Sequence, residues 1–289
     1  MSKVLLVTGS SRGLGREIVL AALAAGHRVA ATARKPEQVA DLVERYGDRV
    51  LPVELDVADA EAAERAVRAA VEAFGRLDVV VNNAGYANLA SVEDITVADF
   101  RAQLDTNLLG VVNVSKAALP TLRAQGSGHI IQVSSLGGRT ATPGLSAYQA
   151  AKWAVGGFSE VLAQEVAPLG IKVTVLEPGG MRTDWAGSSM NVPPISAPYQ
   201  QTVGALAAML GRADLAPAGD PAKVAQVVLQ VADLDEPPVR LLLGSDAVQY
   251  AALAAQARAA EDAKWRDLSV STDHDNASAA DIDPLSEVR

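Results

Sequence analysis

Tyr148 and Lys152, four residues apart in the run Tyr148-Gln-Ala-Ala-Lys152, would place a phenol and an ammonium on one helix face. Such a pair can move protons, because a nearby positive charge favours the phenolate. An ordinary Tyr titrates near ~10, so base strength useful at neutral pH needs about 3–4 kcal/mol of added support for the charged form. Taken alone, the pair reads as a surface Tyr and Lys on an ordinary helix. Two further features change that reading. Ser135 lies thirteen residues before Tyr148 and offers a hydroxyl to a substrate oxygen. Far upstream, Thr8-Gly9-Ser-Ser-Arg12-Gly13-Leu14-Gly15 follows an apolar run and opens into a helical pattern. Glycines in that position let the backbone and a helix N-terminus approach a pyrophosphate. The spacing differs from the Gly-x-Gly-x-x-Gly dinucleotide fingerprint, so its place after a strand and before a helix carries the nucleotide expectation.

The elements that must hold these residues alternate along the chain. Candidate strands are Lys3–Thr8, Arg28–Ala33, Val50–Leu55, Asp78–Asn82, His129–Ser134, Lys172–Leu176 and Arg240–Leu243. They are continuous apolar runs, the pattern of strands buried on both faces. Helical stretches such as Leu14–Ala25, Ala60–Phe74 and Tyr148–Val166 lie between them. Repeated βα units predict an α/β fold, a doubly wound parallel sheet with helices on both faces. Ligands in such folds bind beyond the carboxyl ends of the strands. After the second strand comes Ala31-Thr32-Ala33-Arg34-Lys35, without the acid that usually meets a ribose 2′-hydroxyl. Arg34, with Arg12 from the first turn, instead suits a 2′-phosphate, which points to NADP.

Composition narrows the alternatives. The chain has 289 residues, half of them apolar, a net charge of −9 and no Cys. That length suits one large α/β domain or two small ones. The acidic balance argues against nucleic acid or an anionic membrane as partner. Without Cys there is no disulfide, thiolate or sulfur-ligated metal chemistry. His27, His129 and His274 share no ligand-like interval, so no metal is expected. No Ser/His/Asp set has hydrolase spacing. With no long apolar run, a soluble, cytoplasmic protein is expected.

With these pieces assembled, residues 3–245 resemble the classical short-chain dehydrogenase/reductase family. The resemblance rests on Thr8-Gly-x3-Gly13-x-Gly15, Asp56-Val57, Asn82-Asn83-Ala84-Gly85, Asn107, Ser135, Tyr148-x3-Lys152 and Pro178-Gly179 followed by Thr183. It implies a single Rossmann-type domain, a parallel sheet of about seven strands, a nicotinamide cofactor and a homodimer or homotetramer. By position, Asn107, Ser135, Tyr148 and Lys152 form the family's catalytic tetrad. The thirteen-residue interval selects Ser135 over Ser134. Gly9, Arg12, Gly13 and Leu14 would surround the phosphates, Asp56 and Val57 the adenine, and Asn83 and Gly85 the cleft after the fourth strand. Pro178, Gly179 and Thr183 would face the nicotinamide. Lys152 would hold the ribose and lower the Tyr148 pKa, and Asn107 would steady a relay water. Ala151 stands where the family often has Ser, a change the tetrad tolerates.

The implied organisation is a catalytic domain over residues 1–266, a substrate lid at about 182–215, and a polar, acidic, flexible tail over 267–289. Ala247–Trp265 reads as a helix ahead of that tail, and Asp220-Pro221 as a helix start. Within the lid, Gly187, Pro193 and Pro194 fit a flap with stiff edges. Gly137, Gly138, Leu145, Trp185 and Met190 suggest an apolar pocket for a hydrophobic carbonyl compound. The expected activity is NADP(H)-dependent reduction of a ketone or aldehyde, or the reverse oxidation. Alternatives are an NAD-dependent alcohol dehydrogenase, a cofactor-binding sensor without turnover, and an epimerase or dehydratase.

Overall fold

Short β-branched runs with no polar face are stable only when both faces are covered, and the chain covers them with helices. The computed structural model describes residues 2–183, 190–212 and 217–283. Seven strands form one parallel sheet: β1 (Val4–Val7), β2 (Arg28–Ala33), β3 (Val50–Glu54), β4 (Val79–Asn82), β6 (Gly128–Val133), β7 (Ile171–Pro178) and β9 (Arg240–Leu243). Their order is β3-β2-β1-β4-β6-β7-β9. The expected strands are all present, shifted at most two residues at their ends.

Alternate residues of β1 enter two cores. Leu5 and Val7 pack with Leu14 and Ile18 of α1 (Gly13–Ala24) and Val224 and Val228 of α8 (Pro221–Asp233). Val4 and Leu6 pack on the other face with Val67 of α3 (Ala60–Phe74), Val114 of α5 (Gly110–Gln125) and Leu162 of α6 (Ser146–Val166). Helix starts follow local capping chemistry. Asp59 accepts from the Ala62 N–H (3.0 Å), and Asp220 from the Ala222 N–H (2.9 Å) ahead of Pro221. No helix among the described residues is long and apolar enough to cross a membrane.

β1 has β2 on one side and β4 on the other, so the chain reverses its winding there. The crevice at the carboxyl ends of β1 and β4 is where such a sheet binds ligands. A third, smaller cluster sits above it. Ala87, Leu89, Leu145, Tyr148 and Val203 are buried together, with Met190 and Leu206 of α7 (Ala205–Leu210) packed against them. Here β5 (Ala87–Asn88) pairs in parallel with β8 (Met190–Asn191) in a two-stranded sheet outside the sequence expectation. The helix expected at Ala247–Trp265 is longer than predicted. As α9 (Ser245–Val270), it runs into the segment read as a tail.

Candidate active site

The first turn is shaped by its glycines. Gly9 and Gly13 adopt φ of 68° and 55°, and a Cβ on Gly15 would fall 2.3 Å from the Gly9 carbonyl oxygen. The loop therefore lies flat against the start of α1, whose N–H groups remain available to an anion. Asn83 locks the turn to β4 by donating from Nδ2 to the carbonyl oxygens of Thr8 (2.9 Å) and Gly9 (3.3 Å).

A single cavity of about 970 Å³ runs from this turn to the end of β6. Gly9, Arg12, Gly13, Leu14, Arg34, Asp56, Val57, Asn83, Gly85, Pro178, Gly179 and Thr183 all line it, with Ser135, Tyr148 and Lys152. Its shape suits an extended phosphate-bearing nucleotide, with a glycine cradle, a helix N-terminus and two exposed cations, Arg12 and Arg34. Asp56 lines the same stretch, and its Oδ1 accepts from the Ala58 N–H (3.0 Å).

At the other end, Ser135 caps a short turn at Leu136–Gly138, its Oγ accepting from the Gly137 N–H (3.0 Å). Tyr148 and Lys152 project from the first turns of α6 and are almost completely buried. Lys152 Nζ donates to the Val133 carbonyl oxygen (2.8 Å) and lies 5.7 Å from the centre of the Tyr148 ring. Burial dominates both groups. It pushes the Tyr148 phenol up to about 12, with the Ser135 hydroxyl acting in the opposite direction, and lowers Lys152 to about 8. In the protein alone the phenol therefore stands above its ordinary value. Burial outweighs the Ser135 hydrogen bond, which acts toward the phenolate.

Asn107 is buried in a π turn, Asp105–Leu109, between α4 (Val97–Leu104) and α5. It sits behind the cavity wall and clamps the Tyr86 peptide, accepting from its N–H (3.1 Å) and donating to its carbonyl (2.8 Å). A Cβ on neighbouring Gly85 would fall 3.1 Å from Asn107 Oδ1 and 3.8 Å from Lys152 Nζ. The glycine therefore keeps open the space between those two side chains.

Sequence reasoning missed the support behind Ser135. Glu177, fully buried in β7, pairs with Arg139 (2.7 Å) just after the Ser135 turn and with Arg240 (2.7 Å) on β9. Arg240 also meets Glu160 on α6 (2.9 Å). Two guanidinium partners offset the desolvation of this carboxylate and fix the Ser135 turn to the sheet. The available signal was an acid at the carboxyl end of the apolar run Val175-Leu176.

The pocket is also less apolar than its expected residues suggest. Leu136, Gly137, Leu145 and Met190 line it, but so do Asn88, Thr140, Thr142, Gln149 and Asn191. Gly138 lies behind the wall against the Lys152 carbonyl. Trp185 and Gly187 lie outside the described residues.

Comparison with known proteins agrees with this geometry. The family model for short chain dehydrogenases matches residues 3–191. Oxidoreductase BOA17 of Botryotinia fuckeliana is 62% identical over 273 residues, 94% of this chain and 100% of that protein. A short-chain dehydrogenase crystal structure from Streptomyces avermitilis matches with a TM-score of 0.89 at 38% identity, covering 95% of this chain and 100% of the other. A short chain dehydrogenase from Burkholderia cenocepacia in complex with NADP matches with a TM-score of 0.72 at 28% identity, over 91% and 97% of the two chains. The chain belongs to the short-chain dehydrogenase/reductase family and is an oxidoreductase.

Proposed function

We propose that this enzyme is an NADPH-preferring carbonyl reductase, acting on a ketone or aldehyde, with alcohol oxidation as the reverse reaction. The observation that carries the reading is the continuity of one cavity from Arg12, Arg34 and the glycine turn to Ser135, Tyr148 and Lys152. The NADP in the Burkholderia cenocepacia neighbour supports a nicotinamide cofactor. Two exposed cations and no acid after β2 support the phosphorylated form.

A bound nicotinamide supplies the hydride. The residues of this chain supply orientation and the proton. Gly9, Gly13 and Leu14 receive the pyrophosphate, and Arg12 and Arg34 the 2′-phosphate. Asp56 and Val57 flank the adenine, while Pro178, Gly179 and Thr183 line the nicotinamide end. Ser135 Oγ hydrogen-bonds the substrate oxygen and stabilises its developing charge. Tyr148 donates its hydroxyl proton to that oxygen. Burial keeps the phenol protonated, the form that donates in reduction. Lys152 holds the cofactor ribose, and its positive charge favours the phenolate left after proton transfer. The space kept by Gly85 between Asn107 and Lys152 suits a water that returns the proton. Within the expected lid, Met190 and Asn191 are tied to the cavity wall through the β5–β8 pair.

The test follows a label. With NADPH deuterated at the transferable C4 position and a panel of ketones and aldehydes, the reading expects NADPH consumption and deuterium on the carbinol carbon. Bound but unconsumed NADPH across the panel would favour a sensor. Label that returns to the cofactor, with no net consumption, would favour an epimerase.

A further inference from the structure

The charged residues lining the cavity are unevenly placed. Arg12, Arg34, Asp56 and Asp99 belong to the turn, the ends of β2 and β3, and α4. Around Ser135 and Tyr148 the lining side chains are neutral apart from Lys152: Asn88, Leu136, Thr140, Thr142, Leu145, Gln149, Met190 and Asn191. Most polar groups in this wall have partners. Gln149 accepts from the Thr142 N–H (2.8 Å) and donates to Thr142 Oγ1 (3.2 Å).

Among the described residues, the exceptions are Asn191, which is exposed, and Asn88. Asn88 is 6% exposed and lines the cavity, and its carboxamide makes no hydrogen bond among the described residues. Its oxygen and nitrogen are not among the water-inaccessible side-chain atoms that lack a partner, so the carboxamide opens to the cavity and can bond a ligand there. Its strand explains how it comes to face the cavity. Side chains alternate along a strand, and Ala87 and Leu89 enter the cluster that holds Tyr148 and Leu145. Asn88 is thereby turned out of that cluster and lines the cavity instead. The backbone around it is fixed, since Leu89 N–H donates to Asn191 O (2.9 Å) and Ala90 N–H to Gly144 O (2.9 Å).

We propose that Asn88 is a specificity-determining residue, whose carboxamide hydrogen-bonds a second, neutral oxygen function on the carbonyl substrate. An amide can both donate and accept, so a hydroxyl or carbonyl oxygen suits it. The neutral wall argues against a charged group at this point. This inference rests on the carbonyl-reductase reading, and its test separates the two.

Four probe ketones form matched pairs: α-hydroxyacetophenone against acetophenone, and ethyl acetoacetate against methyl butyl ketone. The wild type is expected to prefer the oxygenated member of at least one pair. In Asn88→Leu, kcat/KM for that member falls about ten- to a hundredfold, mainly through KM, while its partner stays within about twofold. Unchanged NADPH affinity shows that the variant is folded. If Asn88→Leu loses NADPH binding, Asn88→Ser takes its place, with a smaller loss expected for the oxygenated ketone alone. Equal loss for both members of each pair, or no loss for either, would overturn the proposal. A wild type that binds NADPH but consumes it with none of the four ketones overturns the underlying reading, and this inference with it.

Discussion

The two ends of the cavity are built on different principles. The turn end is made mainly of backbone, with glycines at positive φ and a helix N-terminus, beside two exposed cations. The Tyr148 end is made of buried side chains whose charged forms burial disfavours. The first end is shaped for binding mainly by local backbone conformation, pinned to β4 by Asn83. The second depends on residues brought from β4, β6, α6, β7 and β9, so its chemistry is a property of the folded whole.

Substitutions that affect one end and spare the other sharpen this contrast. The largest expected effect belongs to Tyr148→Phe, which removes the proton donor and little volume. Turnover should fall by about 10²–10⁴ with near-native NADPH affinity. Near-normal turnover would remove Tyr148 from the mechanism. Glu177→Gln acts on the same end from behind, taking the Glu177 carboxylate from Arg139 and leaving Arg240 with Glu160 alone. Its expected cost is about 3 kcal/mol in denaturant unfolding, and the folded fraction should lose kcat more than NADPH affinity. A stability loss below about 0.5 kcal/mol would mean that the network is not a support.

Arg34→Ala addresses the opposite end. It should weaken NADPH about ten- to thirtyfold, leave NADH affinity unchanged, and leave kcat with saturating NADPH near the wild-type value. Equal loss for the two cofactors would argue against a phosphate contact. The smallest effect is a pH slope in the cofactor-free protein. Lys152 is lowered to about 8 from 10.5, so across that window the unfolded chain binds the additional proton, and stability rises with pH. The slope from this one group stays below about 1.4 kcal/mol per pH unit. Tyr148 reverses the trend above pH 10, because the native phenol keeps its proton up to about 12. Lys152→Met should flatten the rise, and an identical slope in that variant would contradict the burial argument.

The same contrast explains what could be read from the residues alone. Arg28–Ala33, Ala60–Phe74 and Arg240–Leu243 match their elements to the residue, because apolar runs and an Asp59 cap are local signals. The glycine turn and the interval from Ser135 to Tyr148 are local too, and those residues line the cavity. The β5–β8 pair was not legible, since two-residue strands have no period and their partners lie a hundred residues apart. Asn88 stayed hidden with it. Glu177 and Arg139 meet across 38 residues, with no spacing rule to connect them. The upward displacement of the Tyr148 pKa needed the burial of its side chain, a tertiary property that the Tyr-x3-Lys pattern does not carry.

The most direct test of the central claim is a fluorescence titration of the wild type with NADPH and NADH, followed in the same samples by addition of a ketone. The account predicts tighter binding of NADPH and its oxidation once the ketone is added. Binding of neither cofactor, or tighter binding of NADH, would contradict it.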